Sequence, residues 1–119
     1  MLYSKTPQIS SIRVAKDGQK QRIVIDIEGQ KERSFYIKKD KGIISITIEA
    51  LLDPKKTDEF KALIEKMNYI EGVSFISLDK EAECVISLFL NKKDKIADQV
   101  FSLPDPSRIV IDIERSEYQ

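Results

Sequence analysis

The chain has no histidine and a single cysteine, Cys84. Without histidine, no Ser-His or Cys-His nucleophile pair can form, and no His-ligated zinc hydrolase fits inside this chain. One cysteine excludes an internal disulfide framework and any CxxC metal site. No apolar run approaches the roughly 20 residues of a membrane-spanning helix. Nor is there a surplus of charge: 20 Lys and Arg balance 20 Asp and Glu. A dedicated DNA-binding domain would need excess cations to displace counterions, so nucleic acid is not an expected partner. Met1-Leu2-Tyr3-Ser4-Lys5-Thr6-Pro7 has no apolar stretch followed by small residues and does not read as a secretory signal. A cytoplasmic protein and a piece of a longer exported chain both fit that start.

What is present suffices for one domain. The chain has 119 residues, 41% of them apolar and 34% charged. Its dominant hydrophobic period is two, the strand period. In Arg22-Ile23-Val24-Ile25-Asp26-Ile27 and in Arg108-Ile109-Val110-Ile111-Asp112-Ile113 the isoleucines share one face. Ile44-Ser45-Ile46-Thr47-Ile48 alternates isoleucine with hydroxyl. Such β-branched segments bury one face and leave the other to water. Cys84 to Leu90 is apolar on nearly both faces and reads as a more central strand. Ile12-Arg13-Val14, Phe35-Tyr36-Ile37, Phe75 to Leu78 and Val100 to Leu103 are shorter strand candidates. Asp17-Gly18 signals a hairpin within a polar stretch, Lys16 to Gln21, longer than a two-residue loop. Glu28-Gly29-Gln30 ends the second strand, Lys38 to Gly42 separates the next two, and Pro104-Asp105-Pro106-Ser107 the last two.

One segment follows the helical period. Phe60, Leu63, Ile64 and Met67 form a stripe at i, i+3, i+4, i+7. Asp53 is a candidate N-cap with Pro54 as first helical residue, and Thr57 is a second candidate cap. The chain also repeats itself. Ile9 to Val14 resembles Val73 to Leu78, Phe35 to Ile37 resembles Phe101 to Leu103, and Ile44 to Glu49 resembles Ile109 to Glu114. Each half, about 9–49 and about 72–114, reads as four strands, joined by the helical connection 50–71. The heptapeptide RIVIDIE occurs at Arg22 to Glu28 and again at Arg108 to Glu114, across the repeat register, and reads as shared strand chemistry. The predicted fold is mainly β: two similar, mostly antiparallel four-stranded sheets packed as a sandwich, with one amphipathic helix at about 54–67 inserted between the halves. Four-strand units of this kind, one from each half, can bury their apolar faces against one another.

Ile12-Arg13-Val14, Arg22 to Ile27, and the run Phe101-Ser102-Leu103-Pro104-Asp105-Pro106-Ser107-Arg108 to Ile113 resemble the AMIN domain of bacterial envelope proteins, found in N-acetylmuramoyl-L-alanine amidases and type IV pilus secretins. The likeness spans about residues 9–49 and 72–114. The connection from Ala50 to Glu71 is longer than that family leads one to expect, and Gly42 to Glu49 lacks the motif's proline turn, Arg and Asp. The resemblance implies a non-catalytic module of two similar sheets in the periplasm or cell envelope, with peptidoglycan as partner and any zinc-bearing catalytic domain elsewhere in the parent chain. It implies no cofactor and no metal in this domain. The second context, the secretin, implies instead a protein–protein module that binds by edge pairing or an apolar patch.

On that reading the candidate ligand-binding side chains are Arg13, Arg22, Arg108, Lys38, Lys39, Lys92, Lys93 and Tyr36. Arginine forks suit stem-peptide carboxylates and sugar oxygens. The competing and preferred reading of Arg22 and Arg108 is structural. If the RIVIDI strands were antiparallel neighbours centred on Val24 opposite Val110, Arg22 would face Asp112 and Arg108 would face Asp26. Nothing in the pattern makes Asp26 and Asp112 a glycosidase pair. The clusters Lys38-Lys39-Asp40-Lys41 and Lys92-Lys93-Asp94-Lys95 read as turns between strands, solvated or attracting an anionic polymer. Tyr36 and Phe89 lie opposite their strands' most apolar faces. Either can serve as a sugar platform, but Phe89 is expected beneath the helix. Cys84 is expected to be a buried small hydrophobe.

Overall fold

The computed structural model describes residues 6–29, 35–78, 82–104 and 106–116. Gln30 and Asp105, assigned above to turns, and the first five residues lie outside these ranges. The described residues form β1 (Gln8–Asp17), β2 (Lys20–Glu28), β3 (Phe35–Asp40), β4 (Ile43–Ile48), a 3-10 turn (Pro54–Lys56), α1 (Thr57–Glu65), β5 (Ile70–Leu78), β6 (Glu83–Leu90), β7 (Ile96–Leu103) and β8 (Arg108–Arg115). The strands make two antiparallel four-stranded sheets, with orders β1-β2-β8-β7 and β3-β4-β6-β5.

The halves of the repeat interleave. The first half gives the β1–β2 hairpin to one sheet and β3–β4 to the other, and the second half completes each sheet with β7–β8 and β5–β6. A sheet is therefore not one half of the chain, as the repeat alone suggested. Strands with one apolar face gain a buried neighbour at each of the joins β2–β8 and β4–β6, so the halves are tied by backbone ladders as well as by packing.

The isoleucine alternation builds the core. Ile23, Ile25, Ile27, Ile109, Ile111 and Ile113 from one sheet share a single buried cluster with Ile44, Ile46, Ile48, Cys84, Ile86 and Leu88 from the other. In β1, Ile9 and Ile12 are both buried although three residues apart. A bulge between Ile9 and Ser11 inserts the extra residue that brings both to the core face.

Asp53 caps the first turn, its Oδ1 accepting the Lys55 N–H at 2.9 Å, with Pro54 in first position. Thr57 does not cap; it is the first residue of α1. Phe60, Ile64 and Met67 are buried, and α1 packs on β5 and β1. Those are edge strands of different sheets, so the helix seals one side of the sandwich instead of lying on an outer face. Leu51 joins this side: its N–H donates to the Pro7 carbonyl and its carbonyl accepts from Ile9, both at 2.8 Å. Two loop assignments change. Asp17 pairs with Lys20, leaving only Gly18-Gln19 as the turn. The β3–β4 ladder runs to Asp40 opposite Ile43, so Lys38 to Asp40 are strand and the turn is Lys41-Gly42.

Candidate functional site

Strand alternation gives each sheet one outward face, and the two faces differ in chemistry. The outward face of β1-β2-β8-β7 is a grid of charges. The β2–β8 register is centred on Val24 opposite Val110, so Arg22 stands opposite Asp112. Arg22 Nε and Nη2 donate to the two oxygens of Asp112 at 2.7 and 2.9 Å. The guanidinium also lies 5.9 Å from the Phe101 ring centroid, and Lys20 Nζ approaches the same carboxylate at 3.7 Å.

The matching pair at the other end of the register is only half realised. Arg108 stands opposite Asp26. Its Nη1 donates instead to the Pro106 and Pro104 carbonyls at 2.7 and 3.3 Å, bracing the proline turn. Asp26 is taken from the opposite flank by Arg13, whose Nε and Nη2 donate to it at 2.7 and 2.8 Å, and by Ser11 Oγ at 2.6 Å. The proline turn brings carbonyls within reach of Arg108, and β1 brings a rival guanidinium to Asp26, so the expected pair is displaced. The hydrogen bond from Arg22 lowers the Asp112 carboxyl below its ordinary range against burial, which raises it, and the charges of Arg22 and Lys20 add to the lowering. Burial raises that of Asp26, but hydrogen bonds from Arg13 and Ser11 and the charges of Arg13 and Arg108 outweigh it and leave it lowered. Of the three candidate arginines on this face, two are committed to carboxylates and the third to a loop.

The outward face of β3-β4-β6-β5 carries few charges. Cross-strand register places Tyr36, Thr47, Val85 and Ile76 in one row and Lys38, Ser45, Ser87 and Ser74 in the next. Asp40, Ile43, Phe89 and Gly72 follow. Ser45 Oγ and Ser87 Oγ share a hydrogen bond at 3.0 Å. The exposed large hydrophobics among the described residues are Tyr36 (62%), Ile76 (53%), Leu78 (40%) and Phe89 (38%). All lie on this one face. Phe89 is thus not under the helix: α1 is used up along the β1 and β5 edges, and the neighbour opposite Phe89 on β5 is Gly72, which has no side chain to cover the ring.

No protein-family model matches the chain, and no curated protein matches it.

The remaining candidates separate. Lys39 faces between the sheets at the open side of the sandwich and pairs with Asp98 of β7. An inward charge pair on two edge strands is a known guard against edge-to-edge association. Lys38 lies on the outward hydroxyl row, and Lys92 and Lys93 lie in the 91–95 loop. Among the described residues no group of three or more His, Cys, Asp or Glu is placed to hold a metal ion. Cys84 is buried, and burial pushes its thiol up to about 12.

Residue patterning passed over Ile76, Leu78 and the serine row as site residues. The signal for the serines was the alternation of isoleucine and hydroxyl in β4. What gathers them into one row is the ladder to β6 and β5, which sets Ser87 and Ser74 beside Ser45.

Proposed function

We propose that this chain is a non-catalytic, AMIN-like envelope module that binds peptidoglycan through the outward face of β3-β4-β6-β5. The observation that carries this reading is the gathering of Tyr36, Ile76, Leu78 and Phe89 on a face whose middle row is hydroxyl. A sugar ring has apolar C–H faces and a polar rim. Tyr36 offers the first a flat exposed ring, and Ser45, Ser87, Ser74 and Thr47 offer the second donors and acceptors. Lys38, in the same hydroxyl row, supplies a cation for a stem-peptide carboxylate. The arginine face is the poorer candidate, since its forks are already occupied. Asp26 and Asp112 have lowered carboxyls, whereas a glycosidase acid needs one raised.

Co-sedimentation with purified sacculi tests this. The chain should pellet, and Tyr36→Ala should weaken pelleting by roughly tenfold. Arg13→Ala should leave it unchanged. A chain that stays in the supernatant across salt and pH, while a known wall binder pellets, refutes the reading.

A second reading rests on Ile76 and Leu78, aliphatic side chains better suited to a protein surface than to a sugar. It makes the same face a protein–protein site in an envelope assembly. Partners retained from an envelope lysate after the glycan is digested, and lost with Ile76→Ser, favour it.

A further inference from the structure

At one end of the sandwich the Lys41-Gly42 turn and the 91–95 loop lie side by side, joined by the Leu90 N–H donating to the Gly42 carbonyl at 2.8 Å. The fold thereby merges Lys38-Lys39-Asp40-Lys41 and Lys92-Lys93-Asp94-Lys95, six lysines against two aspartates in a chain of zero net charge. Of the nearby acids, two are paired with cations, while exposed Asp40 and Glu71 form no ion pair among the described residues, so the lysines outnumber the acids that oppose them. Asp98 pairs with Lys39, and Asp94 lies 3.7 Å from Arg115. Glu71 accepts the Lys92 N–H at 3.4 Å. Lys41, Lys92, Lys93 and Lys95 are exposed and make no ion pair among the described residues. Lys41, Asn91 and Lys92 border an open cleft of about 380 Å³. On the rim of this end stands the exposed ring of Phe89, opposite Ile43.

We propose that this lysine end docks on an anionic phospholipid surface. The free ammonium groups meet the headgroup phosphates, and the Phe89 ring sits at the boundary between headgroups and acyl chains. Charge complementarity alone would admit any polyanion. The apolar ring beside the cations favours a bilayer over a soluble phosphate, which has no apolar layer to receive it, and an oligonucleotide, whose bases can stack on a ring, is separated from a bilayer by the test below.

The test is vesicle co-sedimentation at low and at physiological salt. The chain should pellet with mixed phosphatidylglycerol and phosphatidylcholine vesicles, less so at the higher salt, and not with phosphatidylcholine alone. The Lys92→Gln/Lys93→Gln/Lys95→Gln variant should bind roughly a hundredfold more weakly, about fivefold per lysine. A control with the same charge change on the helical connection, Lys55→Gln/Lys56→Gln/Lys61→Gln, should retain most binding. The chain contains no tryptophan, so Phe89→Trp reports from one place. Its emission should shift to the blue with the mixed vesicles, and the lysine variant should abolish the shift. Absence of pelleting overturns the proposal, as does equal loss in the control. Competition by inorganic phosphate or a single-stranded oligonucleotide, with no shift from Phe89→Trp, shows a soluble-anion site instead and also overturns it.

Discussion

Arg22 on β2 clasps Asp112 on β8 through paired hydrogen bonds of 2.7 and 2.9 Å, across two strands that carry the same heptapeptide. The pairing is self-complementary. An antiparallel match of the five-residue stretch RIVID on each strand about its valine sets each arginine opposite the other strand's aspartate. Only one of the two facing pairs closes, because Arg108 is drawn to the proline-turn carbonyls while Arg13 occupies Asp26.

The two arginine–aspartate pairs that do form, Arg22–Asp112 and Arg13–Asp26, should differ in worth. The Asp112 side chain is 8% exposed and that of Asp26 is 19% exposed; if its arginine is lost, Asp26 keeps the Ser11 hydroxyl at 2.6 Å and Asp112 keeps only the more distant Lys20 ammonium at 3.7 Å. Removing a partner from the better-buried carboxylate strands more charge away from water. Arg22→Ala should therefore lower the urea midpoint more than Arg13→Ala. Equal midpoints would count against the assignment of the β2–β8 pair as the stronger one.

Acid should unfold the protein through these carboxylates. Both are lowered in the native state, so their contribution is fully present above the unfolded value of about 3.9. It is lost as the pH falls through that value toward the native ones, where the unfolded chain binds more protons. Thermal melts over this window should show a stability slope that the Asp26→Asn/Asp112→Asn variant flattens. An unchanged slope would place the acid sensitivity elsewhere.

Cys84 should be silent in the folded chain. With its thiol at about 12 and its side chain buried, almost no thiolate exists near neutral pH. A thiol reagent should label it only in urea, and labelling of the native chain at the rate of a free thiol would contradict this.

The two-residue turns make opposite predictions. Gly18 adopts φ 63°, and an added Cβ there meets nothing within 4 Å, so Gly18→Ala should cost about 1 kcal/mol through backbone strain alone. Lys41 adopts φ 48° before Gly42 at φ 82°, the pattern that favours Asn-Gly. Lys41→Asn should stabilise by a few tenths to about 1 kcal/mol. Thermal melts of both variants check the signs.

Local pattern was enough for much of this protein. Alternating isoleucines specify which face of each strand is buried, because side chains on a strand alternate whatever the strand pairs with. The Asp53-Pro54 start and the Phe60, Ile64, Met67 stripe specify an amphipathic helix, because capping and helical periodicity are local. What the helix covers, and which strand lies beside which, are long-range choices. The order β1-β2-β8-β7 joins residues some ninety positions apart, brings Arg22 to Asp112 and deprives Arg108 of Asp26, while the order β3-β4-β6-β5 sets three serines in one row. The isoleucine pattern satisfies several pairings equally well. The tertiary structure selects one through ladder register and the competition of charged groups for the same partner.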